Sequence, residues 1–496
     1  MELKSKNILI KAGSFYVCIL NIDDAKLLDV WPTDRVEISK GKKKIVAIVD
    51  VARTDSLVEP GTAGLYYETF GKLGTRKIDK VNVTPMPTPV SVKFIKQKLN
   101  GVPLNYEQIY TIISDIANNK LTDIELTYFI AASYMRGMSL KETEYLTRAM
   151  VETGQVLKLK RKPVMDKHCI GGIPGNRTTP IIVPIVAAAG LAIPKTSSRS
   201  ITSPAGTADT VEVFCNVTIP IDRMKKIVEK LDGCMVWGGA LNLAPADDNI
   251  IKIEHPLSLD AEGNLIASIL AKKLSVGATK ILIDIPVAPD AKIKTREKAE
   301  RLKNKFYAVA KQFGLDIKII ITDGSQPIGN GIGPALEARD ILWILTGHPR
   351  APKDLMEKSV MMSGMLLQMG GKAKPGKGYD IAKEILDSGK AYKKFCEIVE
   401  AQGKNIADVD KIPLGKFNFV YSAPKSGQIA EINNKKINLI ARFAGAPVEK
   451  GAGIYLYKHE HENVEKGEKI FKVYAESKRK LAIAKRILKE NPVTIK

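Results

Sequence analysis

Residues 166–212 read DKHCIGGIPGNRTTPIIVPIVAAAGLAIPKTSSRSITSPAGTADTVE. Two small-residue, hydroxyl-rich loops, 167–179 and 197–207, flank the apolar run 181–192, which is long enough for about three helical turns. In the first loop Gly171, Gly172 and Gly175 allow backbone N–H groups to crowd onto a ligand, and Lys167 and His168 stand beside them with cationic or donor character. Pro180 suits the first turn of a helix, whose positive dipole end would then face whatever the loop holds. The second loop supplies Ser197, Ser198, Arg199, Ser200, Thr202, Ser203 and Thr207. That density of hydroxyls fits the several oxygens of a phosphate or a sugar, and Arg199 is the natural bidentate partner of an anion. Alone, a glycine run reads as a turn and a Ser/Thr cluster as a solvated loop. Paired around one helix, they predict a phosphate pocket.

The same residues resemble the thymidine phosphorylase and AMP phosphorylase group of nucleoside and nucleotide phosphorylases. The group's signature has the form S-S-R-small-aliphatic, two free positions, a small residue, then A/G-G-T-x-D-x-V-E. It stands here at 197–212, departing only at Ser200 and Pro204, and the upstream DKH-x-x-GG element stands at 166–172. The resemblance implies phosphate binding at Lys167, His168, Gly171 and Ser197. It implies substrate binding at Gly172, Ser198, Arg199, Ser200, Ile201, Thr202, Ser203 and Thr207. Cys169 occupies a place where the group usually has serine, and it reads as a small loop residue rather than a nucleophile.

Downstream, the pattern is helical from Asn264, and Ser268 and Lys272 fall four apart on one face, within reach of one ligand. The resemblance gives both to the nucleobase. The arginine that thymidine phosphorylases place on the pyrimidine would fall at 253–255, where the sequence is IEH, so base recognition has changed. Asp260 corresponds to the acid of AMP phosphorylases, although on its own the context HPLSLDAEGN describes an ordinary turn aspartate. Runs 278–286 and 317–322 flank the helical 295–313 and predict a βαβ unit with a buried parallel sheet. Lys292 follows the first of these strands, at the end where open α/β sheets bind ligands. The glycine-rich loop 323–334 is expected to support the site. At the C-terminal end, 417–476 reads as short strands with glycine turns. There His459 and His461 are expected to alternate on a strand as exposed histidines, without a third metal ligand.

Upstream, residues 1–85 alternate β-branched runs with Gly, Pro and Asp breaks and end in the proline-rich linker 84–89. AMP phosphorylases of the archaeal type carry such an extension, and thymidine phosphorylases lack it. From 92 to 153 the period becomes helical.

The 496 residues predict several domains, and no apolar run of about eighteen residues or signal-peptide core is present, so a cytoplasmic protein is expected with no membrane partner. The five cysteines are scattered, which argues against disulfides and structural zinc. The net charge of +22 raises nucleic acid as a partner, but the lysines are spread along the chain without an aromatic-interleaved patch, and no nucleic acid is expected.

The resulting fold class is α/β plus α: a small N-terminal β domain, a helical domain, a large α/β domain with a central mixed sheet, and a C-terminal α+β region. The boundaries are 1–85, for assembly; 86–155 with about 245–275, carrying base-site residues; 156–244 with 276–415, binding phosphate; and 416–496. The reaction implied is phosphorolysis of AMP to adenine and ribose 1,5-bisphosphate, with CMP and UMP as further candidates. Inorganic phosphate is a co-substrate, no cofactor or metal takes part, and the enzyme is a homodimer or larger homo-oligomer. The alternatives are a thymidine or pyrimidine-nucleoside phosphorylase, a magnesium-dependent anthranilate-type phosphoribosyltransferase, and a basic nucleic-acid-binding protein.

Overall fold

The computed structural model describes residues 1–13, 16–76, 78–200, 203–257, 259, 261–406, 408–488 and 491–496. By contact density the chain divides into two units, residues 1–154 with 244–268, and residues 155–243 with 269–496.

The first unit begins with a closed six-stranded barrel. Its elements are β1 (Glu2–Asn7), β2 (Val17–Asn21), α1 (Ile22–Leu28), β3 (Arg35–Lys40), β4 (Lys43–Ala52), β5 (Thr62–Leu65), α2 (Tyr67–Leu73) and β6 (Lys80–Met86), in the order β1-β5-β2-β4-β3-β6. The pairing has an internal two-fold. Exchanging β1, β2 and β3 with β4, β5 and β6 maps the parallel pair β1–β5 onto β4–β2, the antiparallel pair β1–β6 onto β4–β3, and β2–β5 and β3–β6 onto themselves. Alternate residues such as Val36, Ile38, Ala47, Val49, Val81 and Val83 fill the interior. Closure leaves few unpaired strand edges. Residues 84–86, expected in a linker, instead end the last strand, with Pro85 opposite Val36. Pro85 is tolerated because the pairing of β6 with β1 stops at Asn82, so its missing N–H breaks no ladder.

Four helices follow, α3 (Ser91–Leu99), α4 (Tyr106–Ala117), α5 (Asp123–Arg136) and α6 (Leu140–Glu152). The last three start at capping boxes, Asn105 with Gln108, Thr122 with Glu125, and Ser139 with Glu142. Arg35 of the barrel pairs with Glu125 and donates to the Lys120 carbonyl at 2.8 Å, docking barrel on bundle.

The second unit holds the α/β fold. It opens with β7 (Met165–Cys169), α7 (Thr179–Ala188), β8 (Ile193–Ser197), α8 (Thr207–Val211), α9 (Ile221–Leu231) and β9 (Gly233–Trp237). The chain then runs through α10 (Pro245–Leu257), which packs on α4 and α5 in the first unit, and α11 (Glu262–Ser275). It continues with β10 (Lys280–Val287), α12 (Arg296–Gln312), β11 (Asp316–Asp323), β12 (Gly331–Ile332), α13 (Pro334–Leu345), α14 (Lys353–Met369), α15 (Gly378–Asp387) and α16 (Lys390–Ala401). Every strand pair from β7 to β11 is parallel, and a bridge from Val164 to Ala192 joins the β8–β9 pair to β7. The order is therefore β9-β8-β7-β10-β11, and the mixed pairing expected in this sheet is found in the barrel instead. The order reverses at β7, and ligands of open α/β sheets bind beyond the carboxyl ends of the strands at such a switch point. Apolar α7 is buried from Thr179 to Ala187, and Phe214 meets Phe395 edge to face at 5.1 Å beneath it.

The C-terminal region comprises β13 (Phe417–Ser422), β14 (Gly427–Ile432), α17 (Asn434–Phe443), β15 (Gly453–Leu456), β16 (Asn463–Val464), β17 (Lys469–Ala475), α18 (Lys478–Ile487) and β18 (Val493–Ile495). Two antiparallel sheets, β12-β15-β17-β13 and β16-β14-β18, share an apolar core with α17 and α18. No described helix is long and apolar enough to cross a membrane.

Candidate active site

Strand β7 carries alternate residues to opposite faces, and the alternation sorts the DKHC motif into two clusters. On one face Lys167 is 3% exposed and donates to Thr178 Oγ1 at 2.6 Å, at the entry to α7. On β10, in register with Cys169, wholly buried Asp284 holds Lys358 of α14 at 2.9 Å and the Thr322 hydroxyl of β11 at 2.6 Å. Burial alone would raise the Asp284 pKa, but Lys358 and Lys167 bring it below the usual carboxylate value. Burial lowers the pKa of Lys167. Cys169, on the same face, has its thiol pushed up by burial to about 11, so it stays protonated at neutral pH.

On the other face Asp166, also wholly buried, meets Lys273 of α11 at 2.9 Å and Lys195 of β8 at 3.4 Å. His168 shares this face. Burial first, then Lys273, Lys195, Lys167 and Lys272, hold its pKa well below the ordinary value, so the imidazole is neutral. Among the described residues, Lys167, Lys195, Lys273 and Lys358 thus gather around the two buried carboxylates Asp166 and Asp284.

The glycine loop after β7 sits at the switch point. Gly171, Gly172 and Gly175 all have positive φ, at 94°, 101° and 70°. A Cβ on Gly172 would lie 2.9 Å from the backbone nitrogen of Lys292, and one on Gly175 would lie 2.2 Å from the Ile328 carbonyl. Glycine is required there by backbone approach as well as by conformation. The same contact places exposed Lys292 beside this loop, after β10.

The second loop is organised by Asp209. Its Oδ2 accepts the Ser200 N–H at 2.7 Å and the Gly206 N–H at 2.9 Å, drawing the two ends of the loop together. Arg199, expected to face an anion, has its guanidinium on Glu212 at 2.8 and 2.5 Å and on Asp209 at 3.2 Å, with its carbon 4.9 Å from the Trp237 ring centre. Hydrogen bonding from Arg199, with further help from Lys450 at 2.7 Å, holds Glu212 down at about 2. Ser200 Oγ donates to the Ser203 carbonyl, Ser203 Oγ to that of Ala205 at 2.9 Å, and Ser197 Oγ is buried without a hydrogen-bond partner among the described residues. Ser198 is exposed and Thr207 opens α8. Beneath the loops, buried Glu337 joins Arg177 and the Thr210 hydroxyl, each at 2.6 Å.

Ser268 and Lys272 lie one turn apart on α11 and are both partly buried. Asp260, Ile201 and Thr202 lie outside the described residues. His459 and His461 occupy the turn between β15 and β16 rather than a strand. There His459 Nε2 is 2.9 Å from Asn330 Oδ1 in the 323–334 loop, and His461 has φ 71°. Among the described residues no group of three acidic, His or Cys side chains could hold a metal ion.

Residues 92–154 match the helical bundle domain of a glycosyl transferase family, and 161–392 match its a/b domain. Residues 428–494 match the pyrimidine nucleoside phosphorylase C-terminal domain. The AMP phosphorylase of Thermococcus kodakarensis is 46% identical over 94% of this chain and 92% of its own length. The chain belongs to the thymidine and pyrimidine-nucleoside phosphorylase family. Within that family, AMP phosphorylase 1 of Archaeoglobus fulgidus is 44% identical over 100% of this chain and 97% of its own. A Legionella pneumophila (strain Paris) relative, provisionally named thymidine phosphorylase, is 44% identical over 92% of this chain and 87% of its own. Anthranilate phosphoribosyltransferase from Thermus thermophilus shares the fold, with a TM-score of 0.53 at 18% identity over 62% of this chain and 99% of its own.

For this family member the sequence reading left out Asp166, Lys195, Lys273, Asp284, Thr322 and Lys358. The available signal was charge inside otherwise apolar strands, as in MDKHC and ILIDIP, because a buried aspartate requires a partner.

Proposed function

We propose that this chain catalyses phosphorolysis of AMP, giving adenine and ribose 1,5-bisphosphate, with inorganic phosphate as co-substrate and without a cofactor. The observation that carries the reading is the gathering of Lys167, Lys195, Lys273 and Lys358 around Asp166 and Asp284, among the described residues at β7, beside a glycine loop at the switch point of a parallel sheet. Such a site gains stability when an anion enters. Lys167, His168, Gly171 and Ser197 hold phosphate, with neutral His168 serving as a hydrogen-bond donor. Gly172 and the loop residues Ser198, Arg199, Ser200, Ile201, Thr202, Ser203 and Thr207 hold the ribosyl phosphate together with Lys292. In this scheme Arg199 acts through its backbone, its guanidinium tying the loop to Glu212. Ser268 and Lys272 take the nucleobase.

Phosphate attacks the anomeric carbon as the bond to the base breaks, so no covalent enzyme intermediate forms. The protein's contribution is to align phosphate with the ribosyl carbon, stabilise charge, and protonate the departing purine at N7 from Asp260. One feature favours the nucleotide over the nucleoside, the absence of arginine at 253–255; the barrel does not discriminate, because the Legionella relative named for thymidine aligns over 92% of this chain. The barrel serves assembly of a homo-oligomer, and exposed Leu27 (77%) and Trp31 (71%) on it support that role.

One product assay tests the reading: AMP, CMP, UMP, adenosine and thymidine are each incubated with phosphate, and free base and sugar phosphate are quantified. AMP turnover well above adenosine and thymidine is expected. Preferential cleavage of thymidine would move the chain to the nucleoside branch that the Legionella relative's name suggests.

A further inference from the structure

Lys273 is 2% exposed, and its Nζ lies 2.9 Å from a carboxylate that is wholly buried. That carboxylate, Asp166, also accepts the Lys167 N–H at 2.6 Å and is approached by Lys195 at 3.4 Å. One buried group therefore ties together β7, β8 and α11, at the residue directly before Lys167. An apolar side chain at 273 would hold the helix against the sheet at least as well, because burying an ion pair sacrifices hydration on both sides. What the pair adds is register: two buried charges held at 2.9 Å resist separation in a low-dielectric interior, whereas apolar contacts permit sliding and rotation. Lys272 and Lys273 are adjacent, so fixing the direction of one on the helix fixes the other about 100° away.

We propose that Lys273 is a positioning residue for the phosphorolysis reaction: its ion pair with Asp166 sets the rotation of α11 against β7, and so places Lys272, with Ser268 one turn before it, for the nucleobase. The proposal rests on Lys272 being a base ligand.

Protonation of Lys273 provides a readout that packing alone would not. Burial, opposed by Asp166, pulls its pKa down to about 7. The titratable groups around it are Asp166 and His168 on β7, with Lys167 on the strand's other face, Lys195 on β8, Cys234 on β9 and Lys272 on its own helix. His168 is held neutral, and burial raises the Cys234 thiol. Above neutrality Lys273 loses its proton and leaves Asp166 with Lys195 alone.

The test uses the full chain and its K273M, K273R and K272A variants, measuring kcat and KM for AMP at saturating phosphate from roughly pH 6 to 9. K273M is expected to lower kcat/KM for AMP roughly 10- to 100-fold, mainly through KM, with the KM for phosphate little changed. K273R keeps its charge, and its alkaline limb is expected to move to higher pH. A folded K273M with kcat/KM within about threefold of wild type, or a K273R profile that superposes on wild type, overturns the proposal. If neither variant folds, the wild-type profile decides, and a kcat/KM that stays flat across this range refutes it. Unchanged AMP kinetics in K272A would defeat the base-ligand reading; combined with a loss in K273M, it would show Lys273 acting elsewhere and would also overturn the proposal.

Discussion

Replacing Asp209 with alanine removes the acceptor that draws the two ends of the 197–207 loop together. Two backbone donors, Ser200 N–H at 2.7 Å and Gly206 N–H at 2.9 Å, lose a charged acceptor, and Arg199 loses one of its two carboxylates. Hydrogen bonds to a charged group contribute about 1.5–3 kcal/mol each. Gly206 is buried and cannot turn to water, whereas half-buried Ser200 partly can, and Glu212 still holds Arg199. The net loss of loop order is therefore about 2–4 kcal/mol, less than the sum of the bonds, because neighbours in one network do not add. Substrate binding must restore that order, so kcat/KM for AMP should fall roughly 30- to 1000-fold. Asn at 209 keeps one acceptor oxygen and should lose about tenfold. The assay is steady-state phosphorolysis at saturating phosphate, paired with a thermal scan to show that the variant is folded. A folded D209A enzyme within about threefold of wild type would refute the view that this carboxylate shapes the substrate loop.

Lys167→Ala should raise the KM for phosphate at least about tenfold, and an unchanged phosphate dependence would remove this lysine from the anion site. Asp260→Asn should reduce kcat for AMP by roughly 10²- to 10⁴-fold with a much smaller effect on binding; near-normal turnover with an unshifted pH profile would make the residue a loop aspartate. Asp340 is wholly enclosed and has its pKa raised by burial to about 7. Between the ordinary carboxylate value and 7 the folded state holds a proton that the unfolded chain has released, so stability falls as pH rises across that window. Asp340→Asn should flatten the decline of Tm between roughly pH 4 and 7, and parallel Tm–pH curves for the two proteins would contradict the assignment. Removing residues 1–85 should reduce the oligomer measured by light scattering, and a truncated chain that stays fully assembled would contradict the barrel's proposed role.

The elements legible in the sequence were those fixed by local chemistry. The helical period over 92–153 announces the bundle, Thr295 marks the start of α12, and the β-branched runs around 281 and 319 give parallel strands without any knowledge of their neighbours. Arg199 shows where this stops. A guanidinium among serines reads as an anion receptor, yet Asp209 and Glu212, inside the same signature, lie on the helical turns that return to it. The pairing is set by how α8 folds back, which spacing along the chain does not display. The roles of Asp166 and Asp284 are hidden in the sequence for a similar reason, since their lysines come from α11, β8 and α14, distant along the chain. Pro85 has the look of a linker residue in sequence because a proline in a strand is acceptable only where the partner ladder has ended, and that depends on where β1 stops.

The two-fold pairing of the barrel has a kinetic side. Its first strand finds no neighbour nearby: Lys4 sits opposite Thr62, and Glu2 opposite Asn82. The hairpin β3–β4 can form as soon as it is made, with Lys40 opposite Lys43, but β1 must wait until nearly the whole domain has left the ribosome. Contacts that span so much chain carry a loop-closure cost before they return any stability, which slows their formation. Of the six strands, β1 is therefore made earliest yet ordered among the last, and during that interval the valine- and isoleucine-rich faces of the growing barrel remain open to other chains.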